Sequence, residues 1–93
     1  MKYLLGIDFG GGASKATLLC ENGNIVATAT SEYPSYYPSV GCVEQNPEDW
    51  WGAVCKTLKE ICVGYGDDIV GIGLSGQMHS LVMLDENNEV IRN

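Results

Sequence analysis

An α/β domain with the element order β-β-β-α-β-β is what this chain predicts, and three observations predict it. Three β-rich runs, Tyr3–Asp8, Lys15–Cys20 and Ile25–Thr30, follow one another with turn residues between them. One long segment after Asn46 repeats its apolar residues at helical spacing, between a start signal and two glycines. A glycine-spaced apolar run, Ile69–Leu74, then follows. A strand, a helix and a strand in one sheet make a right-handed crossover with parallel strands.

The elements follow in order. Tyr3-Leu4-Leu5-Gly6-Ile7 is a buried-looking strand that ends on Asp8. Gly10-Gly11-Gly12 forms a turn whose glycines accept left-handed or strained angles and carry no side chain to keep a ligand away. Asn22-Gly23 between β-rich runs predicts a two-residue hairpin turn. Ser31 to Gln45, with Pro34, Pro38 and Tyr36-Tyr37, reads as a surface loop, and a loop this long is uncommon without a role. Asn46 is a helix cap, Pro47 suits the first helical position, and Glu48 and Asp49 sit at the positive end of the dipole. The helix is expected to reach about Val63 and to stop at Gly64 and Gly66. Trp51, Val54, Cys55, Leu58, Ile61, Cys62 and Tyr65 form its sheet-facing stripe, and both Trp50 and Trp51 are expected to be structural. Ile69–Leu74 is expected to be a buried strand interrupted at Ser75. A last hairpin runs from Ser80–Leu84 through residues 85–89 to Val90-Ile91.

The 93 residues leave room for one small domain, which buries only about 60–65% of its unfolded surface. A net charge of −7 with five Lys and Arg offers no basic patch. Nucleic acid and anionic membranes are therefore not expected partners, and any anion must be held locally. The apolar run behind Met1-Lys2 is too short for a signal peptide or a membrane span, which points to the cytoplasm. Cys20, Cys42, Cys55 and Cys62 lack the spacing of a zinc site and lie in or beside apolar segments. They are expected to be reduced, mostly buried thiols.

Two segments carry chemistry. Asp8 is a hard oxygen donor suited to Mg²⁺ or its bound waters, the glycine turn can set amides against phosphate oxygens, and Lys15 offers a compensating charge. The dinucleotide fingerprint is excluded, because Lys15 stands where its third glycine belongs and β-type residues follow. A Walker A loop is excluded by Ser14-Lys15-Ala16. Taken alone, the segment is either a phosphate cradle or a tight hairpin whose Asp8 bonds turn amides and whose Lys15 is solvated. Antiparallel hairpins and the crossover make strands one and four parallel, which brings Asp8 and Ser75-Gly76-Gln77-Met78-His79 to one sheet edge. Ligands of open α/β sheets bind at such an edge. Gln77 offers donor and acceptor, His79 two ring nitrogens and Met78 an adaptable apolar contact, a set that suits a polyhydroxylated small molecule. The alternative is an edge or core histidine with a gap-filling methionine. A single histidine without partners does not make a metal site.

Gly6-Ile7-Asp8-Phe9-Gly10 with Lys15, Glu44-Gln45-Asn46-Pro47 with Trp50-Trp51, and Gly73-Leu74-Ser75-Gly76-Gln77-Met78-His79 together resemble the amino-terminal part of the FGGY carbohydrate kinases. The Gly-Gln-Met-His form is similar to the xylulokinase branch. The resemblance covers nearly the whole chain and implies a ribonuclease-H-like, actin-like ATPase fold, with residues 1–93 a truncated amino-terminal portion of domain I. It implies transfer of the ATP γ-phosphate to a ketopentose, D-xylulose giving D-xylulose 5-phosphate. Asp8 would lie at the Mg²⁺ site and meet the ion through water, with Gly10, Gly11, Gly12 and Ala13 against the phosphates and Lys15 as their neutralising charge. Gln77, Met78 and His79 fall at the sugar side, and a homodimer of the full-length form is an accompanying expectation. Gly11 and Gly12 replace the family's usual Thr and Ser, Ser80 a glycine and Cys42 a tryptophan. Family members are much longer, and their catalytic aspartate comes from a later segment. Glu44, Asp49, Asp67 and Asp68 are loop or helix-terminal residues and do not replace it, so the fragment alone is expected to be inactive. Other readings are a kinase for ribulose or another polyol, an actin- or chaperone-like ATPase module, and a small noncatalytic binding domain. The ATPase module shares the glycine hairpin but has no use for Gly-Gln-Met-His.

Overall fold

The β-rich runs pair as their turns require. In the computed structural model, which describes residues 1–77 and 80–92, β1 (Tyr3–Phe9), β2 (Ala13–Cys20) and β3 (Ile25–Glu32) form an antiparallel meander. The chain then crosses through α1 (Pro47–Ile61) to β4 (Ile69–Gly76), which pairs parallel to β1 and gives the sheet order β3-β2-β1-β4. β5 (Met83–Leu84) and β6 (Val90–Arg92) make a separate hairpin. The expected order β-β-β-α-β-β and the parallel β1–β4 pair are both found. β1 runs one residue past Asp8, and β4 continues through Ser75-Gly76 instead of breaking there.

Period-2 alternation puts Leu5 and Ile7 of β1, Ala16 and Leu18 of β2 and Ala29 of β3 on one sheet face, where Val54 and Ile61 of α1 cover them. Asn46 caps α1 by accepting from the Glu48 amide at 3.0 Å. The helix ends earlier than expected, at Ile61 with Cys62 as its cap. Gly64 takes φ +85°, whereas Gly66 opens a short 3-10 turn. The buried stripe also differs from expectation. Ala53 and Thr57 face the sheet, and Trp51 is 65% exposed. Small residues at Ala53, Ala16 and Ala29 let the helix lie close to β2 and β3, which rotates the larger Trp51 outward. Thr57 satisfies its buried hydroxyl by donating to the Val54 carbonyl at 2.8 Å.

β4 is not the buried strand expected. Val70, Ile72 and Leu74 are 61–72% exposed, because β4 lies at the sheet edge and α1 packs over β2 and β3. The radius of gyration, 15.4 Å, exceeds the roughly 12 Å of a compact domain of this length. The Asn22-Gly23 turn is longer than expected. The Gly23 amide donates to the Cys20 carbonyl, the Cys20 amide donates to the Asn24 carbonyl, and Gly23 takes φ +90°. This is a three-residue loop in which glycine follows the turn. The last hairpin is shorter than expected, with Asp85 accepting from the Asn87 and Glu89 amides. The four cysteines are free thiols, but only Cys20 is fully buried, and partial burial raises the Cys62 thiol pKa. No helix among the described residues is long and apolar enough to cross a membrane.

Candidate functional site

The β1–β2 and β1–β4 registers set Lys15 and Ser75 directly opposite Asp8 on its two sides. Residues that pair across strands share a face, so the three stand together on the sheet face away from α1. With Gly6, Thr17 and Gly73 they line an open cleft of ≈ 360 Å³. The only salt bridge among the described residues joins Arg92 to Glu44, so Asp8 and Lys15 are not closed onto each other. Nor does Asp8 bond the turn amides among the described residues, and Lys15 is exposed.

The turn after Asp8 is ordered by its carbonyls. The Gly10 amide donates to the Ala13 carbonyl at 2.9 Å, and the Tyr33 amide to the Gly12 carbonyl at 3.0 Å. The Tyr33 hydroxyl lies between the Gly10 carbonyl and the Ala13 carbonyl, and the Gln45 Nε2 donates to the Gly11 carbonyl at 2.6 Å. With every carbonyl from Gly10 to Ala13 held inward, the Gly11 and Gly12 amides are left without a protein acceptor among the described residues. Gly10 and Ala13 close the turn, and Gly11 and Gly12 present donors. None of Gly10, Gly11 and Gly12 has positive φ, so the turn does not use the left-handed angles that glycine allows.

A Cβ on Gly11 or Gly12 meets nothing within 4 Å, whereas one on Gly10 meets the Ala13 carbonyl at 3.2 Å. That carbonyl is fixed by two donors and cannot give way. Gly11→Ala and Gly12→Ala are therefore expected to stabilise the protein by about 0.4–1 kcal/mol through the unfolded chain, and Gly10→Ala to destabilise it. Urea melts check this, and equal effects at all three positions would contradict it.

The segment 33–45, expected to be a surface loop, is a strap with anchors along its length. Tyr36 and Glu44 exchange backbone hydrogen bonds of 2.6 and 2.8 Å, and the Tyr36 hydroxyl donates to Asp49 Oδ2 at 2.8 Å. Gln45 is its hub. Gln45 Nε2 also donates to Ser35 Oγ at 3.2 Å, and Gln45 Oε1 accepts from Trp50 Nε1 and Gln77 Nε2, each at 3.0 Å. On the α1 side of the sheet edge, Gly11, Glu44, Gln45, Trp50, Gln77 and Ser80 are among the residues lining a second cleft of ≈ 340 Å³. Gln77 thus reaches the glycine turn through Gln45. Met78 and His79 lie outside the described residues. Gln45, Tyr33 and Trp50 were not expected to hold the site, although the length of the strap pointed to this segment and Gln45 and Trp50 lie in the Glu44-Gln45-Asn46-Pro47 and Trp50-Trp51 motif.

Charge is arranged unevenly. Burial and then the nearby Asp8 carboxylate raise the Tyr33 phenol pKa, so its hydroxyl remains a donor to the turn at neutral pH. The turn contact is therefore present below the ordinary phenol range and is lost only as pH rises through the raised value. Hydrogen bonding to Glu44 raises the Arg92 pKa, in keeping with contacts of 2.5 and 2.8 Å to Oε1. Among the described residues no three His, Cys, Asp or Glu side chains gather as a metal cage. Asp8 can supply one oxygen ligand, which suits an ion that keeps most of its waters, as Mg²⁺ does.

The geometry can be set beside known proteins. The model of the FGGY family of carbohydrate kinases, N-terminal domain, matches residues 3–93. The xylulose kinase of Bacillus subtilis (strain 168) is 44% identical over 96 residues, covering 100% of this chain and 19% of that protein. The gluconokinase of the same organism is 39% identical over 88 residues, 94% of this chain and 17% of its own length. The ligand-bound xylulose kinase of Lactobacillus acidophilus superposes with a TM-score of 0.92 at 33% identity, over 100% of this chain and 19% of its own. The chain spans about a fifth of the length of the relatives it matches.

Proposed function

Because the chain belongs to the FGGY family of carbohydrate kinases, with the actin-like ATPase fold of its structural neighbours, we propose that residues 1–93 serve a longer enzyme as part of its domain I. That enzyme phosphorylates D-xylulose with ATP and Mg²⁺. One observation carries the reading: in the turn that joins the strand ends of Asp8 and Lys15 the carbonyls are all engaged and the Gly11 and Gly12 amides keep no protein acceptor among the described residues, while Gln77 stands one side-chain bridge away. Amides left unpaired at a turn are anion donors. ATP with Mg²⁺ supplies the transferable phosphoryl group and the cation that offsets its charge.

Each side of the edge then has its own task. Gly11, Gly12 and Lys15 hold phosphate oxygens, and Asp8 orients the metal through its water shell. Gln77 keeps Oε1 and one amide hydrogen unpartnered among the described residues, able to accept from one sugar hydroxyl and donate to another. Met78 and His79 are assigned to the sugar on the strength of their position after Gln77. Glu44, the one acid among the described residues lining the cleft beside Gln77, is engaged by Arg92, and Asp49 and Asp85 are held by Tyr36 and by the turn 85–89. The base that accepts the sugar proton is therefore assigned to a segment beyond residues 1–93, and this segment alone is inactive. The exposed apolar faces of β4 and of the β5–β6 hairpin support the same view, since such surface is normally covered. The homodimer expected for the full-length form gains no support and is not proposed.

The gluconokinase relative makes a sugar acid the second reading. ADP release by the full-length protein, measured with D-xylulose, D-ribulose, D-gluconate and glycerol, tests the assignment. D-Xylulose is expected to give the highest kcat/KM. Preference for gluconate would replace the substrate, and sugar-independent ATP hydrolysis would replace the kinase with the ATPase-module reading.

A further inference from the structure

We propose that Gln45 is a positioning residue that ties the glycine turn to the end of β4, so that the phosphate side and the sugar side of the site form one unit. The proposal rests on the kinase reading above, and it follows from counting bonds. A glutamine amide has two donor hydrogens and two acceptor lone pairs. In Gln45 all four are used: Nε2 by Gly11 and Ser35, and Oε1 by Trp50 and Gln77. A side chain with no capacity left does not bind ligand itself. It fixes the groups that do.

The orientation of the amide is set by its partners. The Gly11 carbonyl can only accept and the Trp50 indole can only donate, so Nε2 must face the turn and Oε1 the helix. Gln77 must then offer its Nε2 to Gln45, which orients its own Oε1 away from the bridge. The four partners come from the β1–β2 turn, the strap, α1 and the residue after β4. The β1–β4 ladder ends at Phe9 and Gly76. Beyond it, Gln45 is the only side chain among the described residues that bonds to both Gly11 and Gln77. The backbone of Gln45 is itself held between Glu44, clamped by Tyr36 and Arg92, and Asn46, the cap of α1.

An amide is required, because a carboxylate could keep the Trp50 and Gln77 bonds but could not donate to Gly11. Gln45→Glu therefore cuts one end of the bridge, and Gln77→Leu cuts the other. The test measures D-xylulose affinity of the full-length protein with and without a non-hydrolysable ATP analogue and Mg²⁺. Wild type is expected to bind sugar at least about fivefold more tightly with nucleotide, the lower end of ordinary site coupling. Both variants are expected to bring that ratio close to one. A general loss of stability would not move the ratio, and thermal melts identify a variant that fails to fold, leaving the other to decide. A ratio kept by a folded variant, or absent in wild type that binds both ligands, overturns the role of Gln45 alone. Failure of wild type to bind nucleotide and any of the four sugars and polyols above overturns the kinase reading and this proposal with it.

Discussion

Asp8→Ala in the full-length protein is expected to lower ATP-dependent sugar phosphorylation on the order of 10³-fold, the scale of removing one preorganised electrostatic group from a reacting phosphoryl centre. The fold should not change, because Asp8 is an exposed strand residue with no hydrogen bond or ion pair among the described residues. Two neighbours explain why the loss is large. Lys15 stands opposite Asp8 on β2, and Ser75 stands opposite it on β4, so no second carboxylate shares the cleft. Asp8→Asn keeps the shape and removes the charge, and it is expected to fall nearly as far. Steady-state kinetics with ATP–Mg²⁺ varied at saturating sugar measure the effect. Turnover of either variant within about tenfold of wild type would show that the metal is oriented from elsewhere.

Leu18→Ala is expected to cost about 2–5 kcal/mol of stability, the range for deleting a fully buried leucine side chain. Leu18 is 0% exposed, sits on β2 in the middle of the sheet, and belongs to the cluster formed with Leu5, Ile7, Ala16, Ala29, Val54 and Ile61. Its strand carries the site at the other end, since Lys15 lies three residues away. The neighbouring small residues Ala16 and Ala29 already let α1 approach closely, so little collapse into the new space is available. Denaturant midpoints check the loss. A cost below about 1 kcal/mol would mean that α1 does not press on β2 as described.

Much of this architecture can be read from local rules. Asn46-Pro47 starts the helix, β-rich runs alternate about turns, and the crossover rule makes β4 parallel to β1. From these the shared edge of Asp8 and Gln77 follows without coordinates. The stripe of α1 was harder, because the expected and the buried stripes share Val54 and Ile61, and the choice between Trp51 and Ala53 on either side of them depends on how closely the helix can approach Ala16 and Ala29. The burial of β4 could not be read from its composition, since an apolar strand looks the same in the centre of a sheet and at an edge whose cover lies elsewhere. Gln45 and Tyr33 are the clearest case. Their bonds reach 34 and 23 residues back along the chain, and nothing periodic marks a polar residue that meets such a distant carbonyl. Their bonding also changes what the glycine turn is for. Its glycines are not needed for left-handed angles: Gly10 is required by the close Ala13 carbonyl, and Gly11 and Gly12 offer two amides without a protein acceptor among the described residues, which we assign to phosphate.

That claim is tested most directly by a crystal structure of the full-length protein with ADP and Mg²⁺. The expected result places phosphate oxygens within about 3.2 Å of the Gly11 and Gly12 amide nitrogens, a hydrogen-bond distance, with Asp8 facing the metal's waters. Phosphates bound elsewhere, with those two amides left to solvent, would contradict it.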